Sequence, residues 1–290
     1  CGWIFRVIAL FCQIACRAKG MLGSKRKVSG TPFDVANDAP RLRNNGQLAD
    51  PVTLLDTSGD VGVYRVEGCM APRIKTRERI IQGSLELFNA QGERSVTTNH
   101  IAAHLGISPG NLYYYFRNKQ AIIAELFAQY EGQVDAFLRR PDARALTVED
   151  KTFYLEALLA AMWHYRFLHR DLEHLLDSDR ALAARYRRFS QRCLVQGQAI
   201  YRGFVEADIV AMDHVQIESL TINAWIVLTS WVRFLSTTRE HSAHLGEEAF
   251  KRGVYQVLVL ELGFVTADAR AAVDALCDEF HIPLNQALAH

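Results

Sequence analysis

Between residues 108 and 119 the chain reads Ser-Pro-Gly-Asn-Leu-Tyr-Tyr-Tyr-Phe-Arg-Asn-Lys. Ser108, Pro109, Gly110 and Asn111 are small or hydrogen-bonding, Tyr113, Tyr114 and Tyr115 follow, and Lys119 closes the run. Three consecutive tyrosines on a short helix point in three directions, so at least two must reach solvent. A tyrosine hydroxyl on an outer face meets water or donates to an anion such as a nucleic-acid phosphate. Lys119 stands at a helix N-terminus, where a cation opposes the macrodipole. A phosphate shared with the free N–H groups there would compensate. Thr97, Thr98 and Asn99 supply further short polar groups one helix upstream. This is the chemistry of gripping a polyanion and touching base edges.

Helices must hold these groups. Ile81, Leu85 and Phe88 recur at i, i+4 and i+7 with Ile80, Ser84 and Leu87 alongside, which predicts a helix over about 74–90. Gly92 follows it and can take the left-handed C′ conformation. Thr97 or Thr98 offers an N-cap for a short second helix through Ile101, Ala102 and Leu105, closed by Gly106. Ser108 caps a third helix from Pro109 to Tyr115, with proline at the first helical position, where its missing N–H costs nothing. Asn118 caps a fourth, with Ile122, Leu126, Tyr130 and Phe137 on one face. A bracing helix followed by two short ones around a glycine turn is a helix-turn-helix. Ala102 is small where the two helices cross, Gly106 reverses the chain, and Ile107 and Leu112 pin the second helix to the first. The outer face of Pro109–Tyr115 is then presented to a major groove.

The stretch Thr97 to Lys119, with its Leu112-Tyr113-Tyr114-x-Phe116-x-x-Lys119 pattern, resembles the DNA-binding domain of TetR/AcrR-family regulators over about 50 residues. The resemblance implies an all-α, TetR-like fold: an N-terminal three-helix helix-turn-helix DNA-binding domain and a larger helical ligand-binding and dimerisation domain. It implies a homodimer that binds a pseudo-palindromic operator in double-stranded DNA, usually as a repressor, and lets go when a small molecule binds. Activation or dual regulation within the same family is the alternative. By that resemblance Thr97 and Thr98 are phosphate contacts, Pro109, Gly110 and Asn111 lie against base edges, and Tyr113, Tyr114 and Lys119 form a phosphate clamp. Family members often place a donor where Pro109 stands. Proline cannot donate, so base reading is expected to lean on apolar contact with thymine methyls.

Composition agrees with a nucleic-acid head on a larger body. The 290 residues are 49% hydrophobic and 22% charged, with net charge +1. By segment, residues 1–69 carry 9 Lys and Arg against 6 Asp and Glu (+3), residues 70–119 carry 7 against 3 (+4), and residues 120–290 carry 17 against 23 (−6). A basic segment in front of an acidic one points to an anionic partner. Cys193 and Cys277 are the only cysteines after residue 69, the pattern of a reducing compartment, which points to the cytoplasm.

Residues 1–69 read differently from the rest. Trp3–Cys16 is an apolar stretch too short to span a membrane, and residues 19–65 show turn-forming clusters without periodicity, read as loop or disorder. The expected organisation is a disordered or non-native extension over 1–69 with Met70 as the natural start, a DNA-binding domain over 70–120 and an effector and dimerisation domain over 121–290. A genuine basic arm, with Lys25-Arg26-Lys27 attracting phosphate, is the alternative, and a membrane anchor at 3–16 is a remoter one.

The body reads as helices: Phe153–His169, a short Asp171–Leu176, Ala181–Val205, His214–Ser236, Glu247–Leu262 and Ala267–Phe280. His214–Ser236 is apolar on most sides and is therefore expected to be buried on most sides. By the family resemblance it joins Glu247–Leu262 in a four-helix dimer bundle, with Val254, Val257, Leu258 and Glu261 near the interface. Met162, Trp163, Phe167, Tyr201, Phe204, Trp225 and Trp231 are the candidate walls of a pocket for a hydrophobic effector, although an aromatic stripe is more often core. His164, His169 and His174 are spaced five apart, which scatters them around a helix, so no metal site is expected and each reads as a surface or hydrogen-bonded histidine. Arg185, Arg187, Arg188 and Arg192 read as a solvated face, or alternatively as a carboxylate-binding one. No glycine-rich phosphate loop, His-Glu-x-x-His or nucleophile elbow occurs, so neither an enzyme nor a cofactor is expected.

Overall fold

The computed structural model describes residues 52–55, 61–64, 75–238 and 247–288. The first two segments are strands β1 (Val52–Leu55) and β2 (Val61–Tyr64), paired antiparallel with Val52 opposite Tyr64 and Leu55 opposite Val61. They correct the loop reading at these residues. Val52, Thr53, Val61, Val63 and Tyr64 are β-branched or aromatic and suit a pleated ladder, a signal that the surrounding glycine and aspartate clusters masked. The apolar stretch at 3–16, the basic triplet at 25–27 and Met70 lie outside the described residues.

From Thr76 onward the described chain is helical: α1 (Thr76–Gln91), α2 (Thr98–Leu105), α3 (Pro109–Tyr115), α4 (Lys119–Phe137), α5 (Val148–His164), α6 (Arg166–Arg170), α7 (Leu172–Ser178), α8 (Arg180–Glu206), α9 (His214–Thr238), α10 (Glu247–Glu261), α11 (Ala267–Phe280) and α12 (Leu284–Leu288). A single 3-10 turn, Leu262–Phe264, joins α10 to α11. The architecture is all-α, a three-helix head followed by a larger helical body. One core runs through both: Ile80, Phe88, Ile101, Leu112, Ile122 and Leu126 of the head continue into Tyr130, Phe167 and Phe189 of the body.

The local stops and starts follow side-chain chemistry. Gly92 and Gly106 hold φ of +88° and +64° at the ends of α1 and α2, conformations a β-carbon would strain. Thr97, rather than Thr98, caps α2: its Oγ1 accepts from the His100 N–H while His100 Nδ1 accepts from the Thr97 N–H. Histidine here takes the place usually held by Glu or Gln in such a box, which is why the reciprocal half escaped the sequence reading. The helix expected over Phe153–His169 begins earlier, because Thr147 and Asp150 form a second box, and breaks at Tyr165, where φ/ψ is −107°/34°. The break separates α5 from α6 and turns Phe167 towards the head.

Two faces also depart from expectation. Val254, Val257, Leu258 and Glu261 are buried in the protomer's own interior, since their spacing is the inner face of α10. Conversely, α9 is not buried all round: Val215, Ile222, Ile226 and Phe234 are exposed, as are Val259 and Leu260 of α10.

Candidate DNA-binding face and effector cavity

The head presents the residues singled out above. Thr97, Asn99, Ser108, Pro109, Gly110, Asn111, Tyr113, Tyr114 and Tyr115 are exposed and Thr98 is half-buried. Tyr114 is 82% exposed, and Tyr115 packs edge-on against it with ring centroids 5.1 Å apart. Leu112 alone of α3 is buried, which anchors the helix and turns the rest outward. Ser108 Oγ accepts from the Asn111 N–H at 3.2 Å. Thr98 Oγ1 and Tyr113 OH lie 3.0 Å apart, so the starts of α2 and the outer side of α3 are tied into one surface. Arg79 reaches the Leu105 carbonyl at the end of α2. Arg77 pairs with Glu125 at 2.8 Å and covers the Phe116 ring, bracing α1 against α4.

Lys119 is the exception, and the phosphate-clamp expectation for its ammonium is corrected. Nζ donates to the carbonyls of Glu93 and Val96 at 2.9 and 3.0 Å and pairs with the buried Glu93 carboxylate at 2.7 Å. A cation poorly placed for the helix dipole is thus well placed for the turn between α1 and α2. Helical spacing carries no cue to this, because Glu93 and Lys119 lie 26 positions apart on different elements.

The end of α1 is docked on the body. Asn89 Nδ2 donates to the His164 carbonyl at 2.8 Å and Asn89 Oδ1 accepts from the Phe167 N–H at 3.1 Å. Phe88 and Phe167 rings pack with centroids 5.2 Å apart. Arg170 donates to the Phe88 and Asn89 carbonyls, and Asp171 Oδ2 accepts from the Glu93 N–H at 3.0 Å. His174 Nε2 lies 3.6 Å from Glu93 Oε2. A second connection between head and body therefore runs through α6, beside the continuous α4.

The body holds a cavity of about 150 Å³ between α4, α5, α8, α9 and α10. Of the expected wall residues, Tyr201, Phe204 and Trp225 line it. Trp225 and Met162 line a smaller adjoining space of about 40 Å³, together with Tyr130 and His169. The other three expectations are corrected. Phe167 is fully buried in the head–body junction. Trp163 stacks edge-on with Phe250 beneath Arg166. Trp231 is buried and donates its indole N–H to the Ala249 carbonyl at 2.6 Å. Each found its aromatic partner or carbonyl within the core, which helical periodicity cannot distinguish from a cavity.

The cavity contains polar groups that periodicity did not reveal. Lys151 Nζ and Glu261 Oε1 are 2.8 Å apart, both nearly inaccessible. Lys151 also lies 4.3 Å from the centre of the Phe204 ring. Burial, then the Glu261 charge, push the Tyr201 hydroxyl well above its usual range. Burial likewise pushes the Cys193 thiol to about 12, so it stays protonated; Cys193 and Cys277 are free and buried. In the adjoining space His169 Nε2 is buried without a hydrogen-bond partner, and burial pushes the imidazole down to about 4. His169 is thus neither a surface histidine nor a satisfied one. Arg185 and Arg192 clasp Glu131 of α4, so half of that arginine run is structural. No cluster of metal-ligating side chains is found among the described residues, and no helix among them is long and apolar enough to cross a membrane.

Comparison with known proteins places this geometry. A family model described as bacterial regulatory proteins of the tetR family matches residues 80–126. Another, named TetR and described as bacterial transcriptional repressor, matches residues 129–273, half of the chain. The HTH-type transcriptional regulator UidR of Escherichia coli K12 is 35% identical over 66 residues, 23% of this chain and 34% of its own length. The class C tetracycline repressor protein of Escherichia coli is 40% identical over 50 residues, 17% of this chain and 23% of its own. The chain thus spans about a third or less of these two curated relatives. A crystal structure of a TetR-family transcriptional regulator from Marinobacter aquaeolei VT8 is 47% identical, with TM-score 0.67, over 72% of this chain and all of that one. A TetR transcription regulator from Haloarcula marismortui, 16% identical with TM-score 0.51 over 66% of this chain and 98% of its own, shares the fold.

Proposed function

The chain belongs to the TetR family of transcriptional regulators, DNA-binding helix-turn-helix proteins that are not enzymes, and we propose that it is a dimeric repressor released from its operator by a small hydrophobic effector. The observation that carries the DNA reading is the outer face of α3, where Pro109, Gly110, Asn111 and three tyrosines are exposed around one buried leucine. Pro109, Gly110 and Asn111 approach base edges, while Thr97, Thr98, Tyr113 and Tyr114 donate to phosphates. Arg117, exposed in the bend between α3 and α4, supplies the cation that Lys119 does not. The protein acts on chromosomal DNA in the cytoplasm.

Dimerisation is supported by the exposed apolar side chains of α9 and α10, which a lone protomer would leave in water. Two heads held by such a dimer must sit about 34–36 Å apart to enter successive major grooves. The effector occupies the cavity between α8 and α10. The wall of the adjoining space includes Leu168 and His169 of α6, the helix whose Phe167 and Arg170 hold the end of α1. Movement of α6 on binding tilts the head and spoils the spacing.

A gel-shift titration against the DNA upstream of its own gene tests this. Saturable binding should weaken steeply with salt. Tyr114→Ala should weaken it about tenfold while leaving thermal stability unchanged. Arg117→Ala should lower the salt slope by about one. Lys119→Met should instead lower stability, because it strands the buried Glu93 carboxylate. Unchanged affinity in Tyr114→Ala and Arg117→Ala together would remove the assignment of this face.

A further inference from the structure

The cavity bounded by α5, α8 and α10 encloses a charged pair where apolar packing would serve stability as well. Bringing Lys151 and Glu261 out of water costs more than their mutual attraction returns unless every remaining donor and acceptor is met. One is not: Glu261 Oε2 is buried without a hydrogen-bond partner, while Oε1 receives Lys151 at 2.8 Å. Of the other polar groups of the wall, the buried Tyr201 hydroxyl lies beside the Glu261 carboxylate, and two are turned away. Tyr154 donates to the Arg139 carbonyl at 2.8 Å and Thr221 to the Ile217 carbonyl at 2.7 Å. The Lys151 ammonium is held between Glu261 and the faces of Phe204 and Tyr201, at 4.3 and 5.8 Å from the ring centres. It therefore fixes the carboxylate through one oxygen, and Oε2 keeps an acceptor position that no hydrogen bond fills.

The chemistry of an occupant follows. The pair is neutral in sum, so an anion would add an uncompensated charge to apolar surroundings and meet the carboxylate's repulsion. A hydrocarbon would leave Oε2 unpaired. A neutral donor satisfies both conditions. Apolar cavities of about 150 Å³ admit a benzene-sized body, as the well-studied lysozyme case shows. We propose that this cavity binds a small neutral molecule of about one ring, an alcohol or phenol, whose O–H donates to Glu261 Oε2. Lys151 is a positioning residue, acting through Glu261. The proposal rests on the reading of this cavity as the effector site.

Isothermal titration of the full chain with four ligands of matched size tests it: benzyl alcohol, ethylbenzene, benzoate and benzylamine. Benzyl alcohol should bind at least about tenfold tighter than ethylbenzene, and benzoate should show no saturable binding. The double variant Lys151→Met/Glu261→Met, which removes the pair without stranding either charge, should bind both neutral ligands equally. The wild-type series decides the matter even if that variant does not fold. Equal binding of ethylbenzene and benzyl alcohol by the wild type would overturn the proposal while leaving the cavity a ligand site. Tightest binding of benzylamine would overturn it too, making Glu261 a counter-ion. Absence of binding by all four would overturn both this proposal and the effector-site reading. Selective binding of benzyl alcohol that leaves operator affinity unchanged would uphold the recognition rule and overturn only the release reading.

Discussion

In the head, Lys119 meets two carbonyls and a carboxylate, Thr97 and His100 cap each other, and Thr98 meets Tyr113. Glu93 Oε2 lacks a formal hydrogen bond, yet Lys119 and His174 flank its carboxylate. In the body, His169 Nε2 and Glu261 Oε2 are buried without a hydrogen-bond partner on residues that line enclosed spaces. The head spends its polar groups on holding one shape, as an element that must match a fixed groove requires. The body leaves polar atoms uncommitted, as a site whose occupant comes and goes requires. Between them, α6 carries Phe167 and Arg170 into the head and His169 into the body's adjoining space. One short helix therefore answers to both.

That contrast can be broken at its joint first. Phe167→Ala removes a fully buried ring from the junction and should destabilise the fold by about 3–5 kcal/mol, read by denaturant unfolding. A loss below about 1 kcal/mol would mean that the junction is loosely packed and that head and body are coupled by α4 alone.

The next effect is in pH. Burial holds His169 near 4 against 6.5 in an exposed chain, so the unfolded state takes up the proton first on acidification. Stability should be full above pH 6.5 and fall between pH 6.5 and 4, by at most about 3 kcal/mol. His169→Phe should flatten this stretch of the profile in urea melts taken across the range. A profile with the same slope in the variant would assign the acid sensitivity elsewhere.

The smallest effect sharpens the picture of the head. Ser108→Ala removes the cap from α3 and should cost about 1 kcal/mol in thermal unfolding, with DNA affinity falling in step as α3 frays. A variant as stable as the parent would show that Pro109 and the buried Leu112 suffice to define the helix.

Much of the head was legible because its rules are local. Caps at Ser108 and Asn118, proline at the first turn, glycines at the two left-handed positions and the apolar spacing of α1 each act within a few residues. The body was legible in its helices and not in its faces. Stripes of the same helical spacing hold Tyr201 and Trp225, which line cavities, and Trp163 and Trp231, which pack against other core groups. Whether an aromatic side chain meets protein or space depends on helices far away in the chain. Lys151 and Glu261, 110 positions apart, carry no trace of each other in any sequence window.

Periodicity, capping and backbone stereochemistry are short-range, so the residues alone establish that the described chain from Thr76 onward is helical, where the head's helices lie, and that at least two of the three tyrosines reach solvent. Tertiary structure alone decided that Lys119 belongs to Glu93, that α6 docks on α1, and which side chains wall an enclosed space. Those outcomes depend on which surfaces meet and how completely they fill, and packing of distant segments is a property of the assembled interior.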